Sequence, residues 1–136
     1  EGAKRLGLEG LIETRAMDAR TPAEELRSRF DVVIADAPCS GLGVIRRKPE
    51  IRYKTEAEVA ALPEIQLAIL RGLAGCVKPG GTLLYSTCTL LERENEDVVR
   101  AFLSDNNEFT AVQERTLWPD IDKTDGFFIC RMKKST

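Results

Sequence analysis

Histidine is absent from the 136 residues, which removes the commonest general base and leaves carboxylates, thiols and water for any proton transfer. The four cysteines, at positions 39, 76, 88 and 130, include no CxxC pair. A zinc site therefore lacks its usual ligands, and no metal is expected. Dithiol redox and acyl-transfer chemistry are disfavoured for the same two reasons, a missing CxxC and a missing histidine partner. No apolar run approaches a membrane span, and the N-terminus shows no basic-then-apolar secretory pattern. Cysteines without such a leader suit a reducing compartment, so a cytoplasmic chain is expected. A glycine-rich turn opening a first βα unit is also missing. Gly41-Leu42-Gly43 is too short for a dinucleotide cradle and follows a cysteine instead of opening a helix. Net positive charge is lacking too: 20 Lys and Arg stand against 22 Asp and Glu, whereas a free-standing nucleic-acid binder is usually basic.

What is present suits one globular α/β domain spanning 1–136. Hydrophobic residues make up 43% and charged residues 31% of a chain long enough for a single core. Positive charge is concentrated in Arg46-Arg47-Lys48, followed by Arg52 and Lys54. Such a run is either a solvated loop or a substrate-facing one; its place directly after a cysteine motif favours the second.

Along the chain, residues 2–8 read as a helix end with Gly7 as its C-cap. Residues 11–16 read as a short strand leading to Asp18, and 22–29 as a brief charged helix. Asp31 to Ala35 is apolar and β-branched, which predicts a strand buried on both faces of a parallel sheet. Residues 40–54 form a long loop, a length that tends to carry function. Thr55 can cap a helix, and Pro63 breaks or opens the next one. There Gln66, Ile69, Leu70, Leu73, Ala74 and Val77 recur at helical spacing and should face the core. Lys78-Pro79-Gly80-Gly81 predicts a stop before a strand at 82–86. A helix over about 92–105 presents Val98, Val99, Phe102 and Leu103. Segments 108–113 and 126–132 predict a closing antiparallel pair. Alternating strands and helices indicate a doubly wound sheet with helices on its faces.

Two segments carry the chemistry. Asp36-Ala37-Pro38-Cys39-Ser40-Gly41 and Tyr85-Ser86-Thr87-Cys88-Thr89 each place a cysteine just after a strand-like run. Open α/β sheets gather such residues into one crevice, so two cysteines 49 positions apart can meet beside Asp36. A thiol becomes a nucleophile when it is deprotonated and aimed at an electrophile, and Cys88 sits in a small-polar context suited to that. Cys76 and Cys130 lie among aliphatics and read as structural. Pro38 stiffens the turn that holds Asp36 and Cys39 outward. The bland alternatives are a core role for either motif cysteine and a turn or cap role for Asp36.

These two segments resemble the paired cysteine motifs of the RNA cytosine-5 methyltransferases of the Sun/nucleolar-protein family. Further matches are Gly43-Val44-Ile45-Arg46-Arg47-Lys48-Pro49-Glu50-Ile51, Gln66-Leu67-Ala68-Ile69-Leu70, Lys78-Pro79-Gly80-Gly81 and Thr124-Asp125-Gly126-Phe127-Phe128. The likeness runs from about residue 4 to the end, and the Arg-Arg-Lys-Pro loop is closest to the bacterial small-subunit ribosomal RNA branch, the Sun or methyltransferase B type. The resemblance implies a partial Rossmann-like class I methyltransferase sheet, with S-adenosylmethionine as cofactor and ribosomal RNA as partner. It implies Cys88 as the nucleophile on C6 of cytosine, Asp36 as the contact to N3 and the exocyclic amine, and Cys39 as the aid to release. Asp18, Asp36 and Pro38 would bind the cofactor; Arg46, Arg47, Lys48 and Arg52 would meet RNA phosphates. The family's glycine-rich cofactor loop, its first two strands and its N-terminal RNA-binding region have no counterpart in these residues. The chain is therefore expected to be a C-terminal catalytic fragment, inactive alone, whose N-terminal strand is displaced, pairs differently or swaps with another copy, and whose strand 31–35 is an open edge prone to self-association.

Overall fold

The computed structural model describes residues 1–136. Four strands form one sheet in the order β1-β2-β4-β3: β1 is Phe30–Asp36, β2 Val77–Thr87, β3 Phe109–Leu117 and β4 Phe127–Lys134. β1 and β2 are parallel, and β4 is antiparallel to both β2 and β3. The parallel pair requires a crossover, supplied by α2 (Glu56–Ala60) and α3 (Leu62–Ala74); α4 (Glu96–Asp105) links β2 to β3, and α1 (Gly2–Arg5) stands at the start. The α/β class, the parallel strands and the closing antiparallel pair are as the sequence predicts.

Local chemistry accounts for the helices. Thr55 and Glu58 form a reciprocal capping box, the Thr55 N–H donating to the Glu58 carboxylate at 2.7 Å. Pro63 lies in the first turn of α3, where a missing N–H costs nothing. α3 turns Gln66, Leu70 and Ala74 inward, and α4 turns Val98, Val99 and Phe102 inward. They cover Val33, Ala35, Leu83, Tyr85, Phe128, Cys130 and Met132 on a single face of the sheet.

That arrangement corrects the expectation for β1. Val33 and Ala35 are buried, but Val32 and Ile34 are 58% and 64% exposed, because both long helices pack on the other face and β1 is an edge. Residues 11–16 are not a strand. They contribute no ladder hydrogen bonds and pass beside the β1 edge, where Glu13, Arg15 and Met17 line a cavity of about 430 Å³ with Phe30, Ile34, Leu26 and Leu73. Arg15 instead pairs with Glu13 and Glu25 through its side chain. The helix expected at 22–29 shrinks to one 3₁₀ turn, Glu24–Leu26. Lys78-Pro79-Gly80-Gly81 does not stop α3, which already ends at Ala74; it bulges out of β2, whose pairing jumps from Phe30–Val77 to Val32–Thr82. Gly80, at φ +70°, supplies the left-handed backbone this bulge needs.

Candidate active site

The parallel pair β1–β2 sets the register of the site. Asp36 lies opposite Ser86, the Ala37 N–H extends the ladder to the Ser86 carbonyl at 3.0 Å, and the Ser86 hydroxyl donates to Asp36 Oδ1 at 3.1 Å. Just beyond, the Cys39 and Cys88 sulfurs stand 3.2 Å apart, and the Cys88 N–H points at Cys39 Sγ at 3.3 Å. The two thiols therefore meet beside Asp36 at the carboxyl ends of adjacent strands, where open α/β sheets collect ligands. Burial first, then the contact with Cys88, pushes the Cys39 thiol up to about 12, so Cys39 keeps its proton at neutral pH. Cys76 and Cys130 are buried in the core, as expected of structural thiols, and burial raises both. None of the three cavities is lined by either motif cysteine; the thiols and the exposed Asp36 and Pro38 form an open shelf.

Beneath the shelf lies a polar cluster that the sequence reading missed. Ser40, Gln66, Thr87, Thr89, Glu94 and Asn95 are all buried. Glu94 Oε2 accepts from the Ser40 N–H at 2.8 Å and from Gln66 Nε2 at 2.9 Å, and its Oε1 faces the Thr89 hydroxyl at 3.4 Å. The Ser40 and Thr89 hydroxyls bond at 2.8 Å, Thr87 bonds Asn95 at 2.5 Å, and the Asn95 amide donates to the Thr89 carbonyl. Gln66, expected only as a core position, also donates to the Pro38 carbonyl at 2.9 Å. Glu94 lies in a 3₁₀ turn (Glu92–Glu94) just before α4, where an acidic residue reads as a helix-start preference. Its one distinguishing signal was its position six residues after Cys88.

The loop 40–54 is locked to the cysteines by backbone. The Gly43 N–H donates to the Cys88 carbonyl at 2.9 Å, and the Gly126 N–H donates to the Gly43 carbonyl at 2.8 Å. Arg46 and Arg47 both reach Asp125 at 2.5 Å, and these guanidiniums, Arg46 foremost, hold its carboxyl below the usual range. Their side chains stay more than half exposed, Lys48 is exposed, and Arg52 stacks on Tyr53 at 5.0 Å from the ring centroid. Lys54, which was not singled out for the site, donates to the Ser40 carbonyl at 2.8 Å. Asp18 stands apart. Its carboxylate is forked on Arg20, whose hydrogen bonds hold it at about 2, and the next two carbonyls press on Gly72 of α3. No hydrogen bond or ion pair joins it to Asp36, Pro38 or the thiols.

Paired thiols, an adjacent carboxylate and a basic loop form a set able to add a sulfur to an electron-poor ring and to handle the proton released. Comparison with known proteins gives the family of the chain. The family model described as 16S rRNA methyltransferase RsmB/F matches residues 1–133. A probable ribosomal RNA small subunit methyltransferase B of Bacillus subtilis (strain 168) is 44% identical over 98% of the chain and 34% of its own length. The crystal structure of PH0851 superimposes at a TM-score of 0.91 with 33% identity, over 97% of this chain and 33% of that one. NSun6 from Pyrococcus horikoshii follows at 0.79 and 27%, over 98% and 37%. The chain thus spans about a third of the length of the relatives it matches, within a Rossmann-like class I methyltransferase fold. On this sequence match and this shared fold, the chain belongs to the 16S rRNA methyltransferase RsmB/F family.

Proposed function

We propose that the site transfers a methyl group to C5 of a cytosine in small-subunit ribosomal RNA, through a transient bond between Cys88 and C6 of the base. The observation that carries this reading is the 3.2 Å contact between two thiols of different strands beside Asp36. One thiol suffices for a nucleophile; a second in contact has a separate task. Cys88 directly follows the β2 end among the small polar residues Ser86, Thr87 and Thr89, and the attack is assigned to it; Cys39 takes the second task. As the Cys88 thiol gives its proton to water, its sulfur adds to C6 and the C5–C6 π electrons shift into the ring, making C5 nucleophilic. The Asp36 carboxyl group, beside the two thiols, would contact N3 and the exocyclic amine, where charge develops as the sulfur adds. After C5 is methylated, its proton leaves to solvent and the C6–S bond breaks with its electrons returning to Cys88. Cys39, whose sulfur touches that of Cys88, assists that release. Because the thiols lie on an open shelf, the target base has to be unstacked to reach them.

S-adenosylmethionine supplies the methyl group. The donor set fits it in part, since a sulfonium cation and an adenine amine both seek acceptors: Asp36 is exposed and accepts from the Ser86 hydroxyl, and Asp18 would add a second carboxylate once released from its fork on Arg20. Pro38 would shape the wall between the cofactor and the base. Arg46, Arg47, Lys48 and Arg52 would neutralise RNA phosphates, with Asp125 holding the first two in place.

The test is trapping. RNA carrying 5-fluorocytidine should form a stable adduct with the full-length protein, of which these residues are the expected catalytic part, in the presence of S-adenosylmethionine, because fluorine at C5 cannot leave as a proton does. Cys88→Ser should abolish the adduct, whereas Cys39→Ser should let an adduct persist even on ordinary RNA. The opposite pattern would reverse the roles. A second, non-enzymatic property is favoured by one observation: the β1 edge, with Val32 and Ile34 exposed, offers unpaired backbone groups to a second copy of the chain.

A further inference from the structure

We propose that Glu94 is a positioning residue that sets the separation of the two thiols. The residue immediately after each cysteine is tied to its carboxylate: the Ser40 N–H donates to Oε2 at 2.8 Å, and the Thr89 hydroxyl faces Oε1 at 3.4 Å. Those two residues are also joined hydroxyl to hydroxyl at 2.8 Å. On the other side of Cys39, the Pro38 carbonyl accepts from Gln66 Nε2, the same nitrogen that donates to Glu94 at 2.9 Å. Cys39 is thus pinned before and after, both times through Glu94, and Cys88 is pinned after.

Three features distinguish this from an ordinary core contact. Glu94 is fully buried, so its two side-chain oxygens depend on Ser40, Gln66 and Thr89 for hydrogen-bond partners. Its main-chain carbonyl is fixed as well, by the Tyr85 hydroxyl at 2.6 Å, so the residue is held from the sheet that carries Cys88. Finally, Gln66 leaves its buried Oε1 without a partner. Turning the amide over would satisfy nothing, because it would set that oxygen against the Pro38 carbonyl and the Glu94 carboxylate. The amide is held in one orientation by the acceptor at 94, and the orphaned oxygen is the cost of that choice.

Glutamine at 94 would keep the shape but place an NH₂ group where at least one donor now points. The strap would slacken and the sulfurs would lose their fixed spacing. The proposal rests on the two-thiol reading of the site, but its test reads the sulfurs directly and needs no methyl transfer. In glutathione buffers, Cys39 and Cys88 exchange with the disulfide of glutathione, forming one protein disulfide and two reduced glutathiones. The equilibrium constant, read by alkylation and mass spectrometry, measures how well the thiols are held together. In the full chain, Glu94→Gln should lower that constant about tenfold. Phe102→Leu, a core change away from the strap in a residue stacked on Phe109, serves as the control: it should lower the thermal midpoint and leave the constant in place. A Glu94→Gln constant within twofold of the parent overturns the proposal, as does a fall no larger than that of Phe102→Leu. If the constant falls while Cys88→Ser still forms the fluorocytidine adduct, the strap stands and the assignment of the nucleophile fails instead.

Discussion

Replacing Gly43 by alanine tests the clasp that joins three distant segments of the site. Gly43 has an ordinary backbone conformation, so any penalty comes from space alone. A Cβ built there would lie 2.7 Å from the Gly126 carbonyl carbon, closer still to its oxygen, and 2.9 Å from the Cys88 carbonyl oxygen, where ordinary contact begins at 3.4 Å. All of these neighbours are backbone, so no side chain can swing away, and the chain must part by about an ångström or more to relieve the approach to the Gly126 oxygen. Parting breaks the Gly126-to-Gly43 hydrogen bond and strains the Gly43-to-Cys88 bond. Two buried hydrogen bonds are worth about 1 kcal/mol each, and forced overpacking adds about 1–3 kcal/mol. A loss of roughly 3–5 kcal/mol is a large part of the ~5–15 kcal/mol by which a domain is stable. At about 4 °C per kcal/mol for a chain of this size, the thermal midpoint should fall by at least about 12 °C. Calorimetry or circular dichroism reads it directly. Gly10→Ala, which meets nothing within 4 Å, is the matched control. A Gly43→Ala midpoint within about 2 °C of the parent would refute the clasp.

Stability should decline in alkali. Burial holds Cys130 up to about 12, and Cys39 likewise, against an ordinary value of 9.0; the folded state therefore binds these protons more tightly than the unfolded chain. Their stabilisation is complete below about pH 9 and is lost as pH rises toward 12, at about 1.4 kcal/mol per pH unit for each thiol. Buried Tyr85, whose phenol is raised by burial and then by Glu94, adds a loss of the same sign. Urea midpoints that stay flat from pH 8 to pH 10.5 would contradict this. At the β1 edge, sedimentation should show a dimer that grows with concentration and is abolished by Ile34→Lys; one species throughout, in both proteins, would rule out pairing there.

The strands carrying the cysteines were legible because their signals are local. Val32 to Ala35 and Thr82 to Ser86 are short apolar runs ending in small polar residues, and a parallel sheet brings such ends together whatever else the chain does. The capping box at Thr55 and the proline opening α3 were legible for the same reason. What escaped depends on partners far away in sequence. Whether Ile34 faces a helix or solvent is decided by which face α3 and α4 choose, and nothing in β1 encodes that. Lys78-Pro79-Gly80-Gly81 contains two strong breakers, but only the pairing of Val77 with Phe30 shows that they interrupt a strand instead of ending a helix. Residues 11–16 read as a short strand, yet pairing needs a neighbour's backbone, and the segment's ion pairs point elsewhere. Glu94 was hidden by the opposite effect, since a glutamate before a helix has an ordinary local explanation.

The missing histidine gives the thiol contact its meaning. A site with an imidazole can assign proton handling to one group and nucleophilic attack to another. Here the groups on the shelf are two sulfurs and a carboxylate, so the sulfurs must be made unlike each other by position. The fold does so with rigid parts. The β1–β2 register fixes Asp36 against Ser86, and the Ala37-to-Ser86 bond carries that register one residue beyond the strand. From there the chain is held by buried groups of α3 and of the turn before α4, Gln66 and Glu94. Cys39 follows the Pro38 turn and is tied on both sides to these buried groups; Cys88 follows the β2 end, and both thiols are half-buried. None of these supports comes from the exposed side of the sheet, where Val32 and Ile34 face outward. The difference between the two thiols is therefore a property of β1, β2 and the two helices behind them, and it should persist whether or not anything covers that open edge.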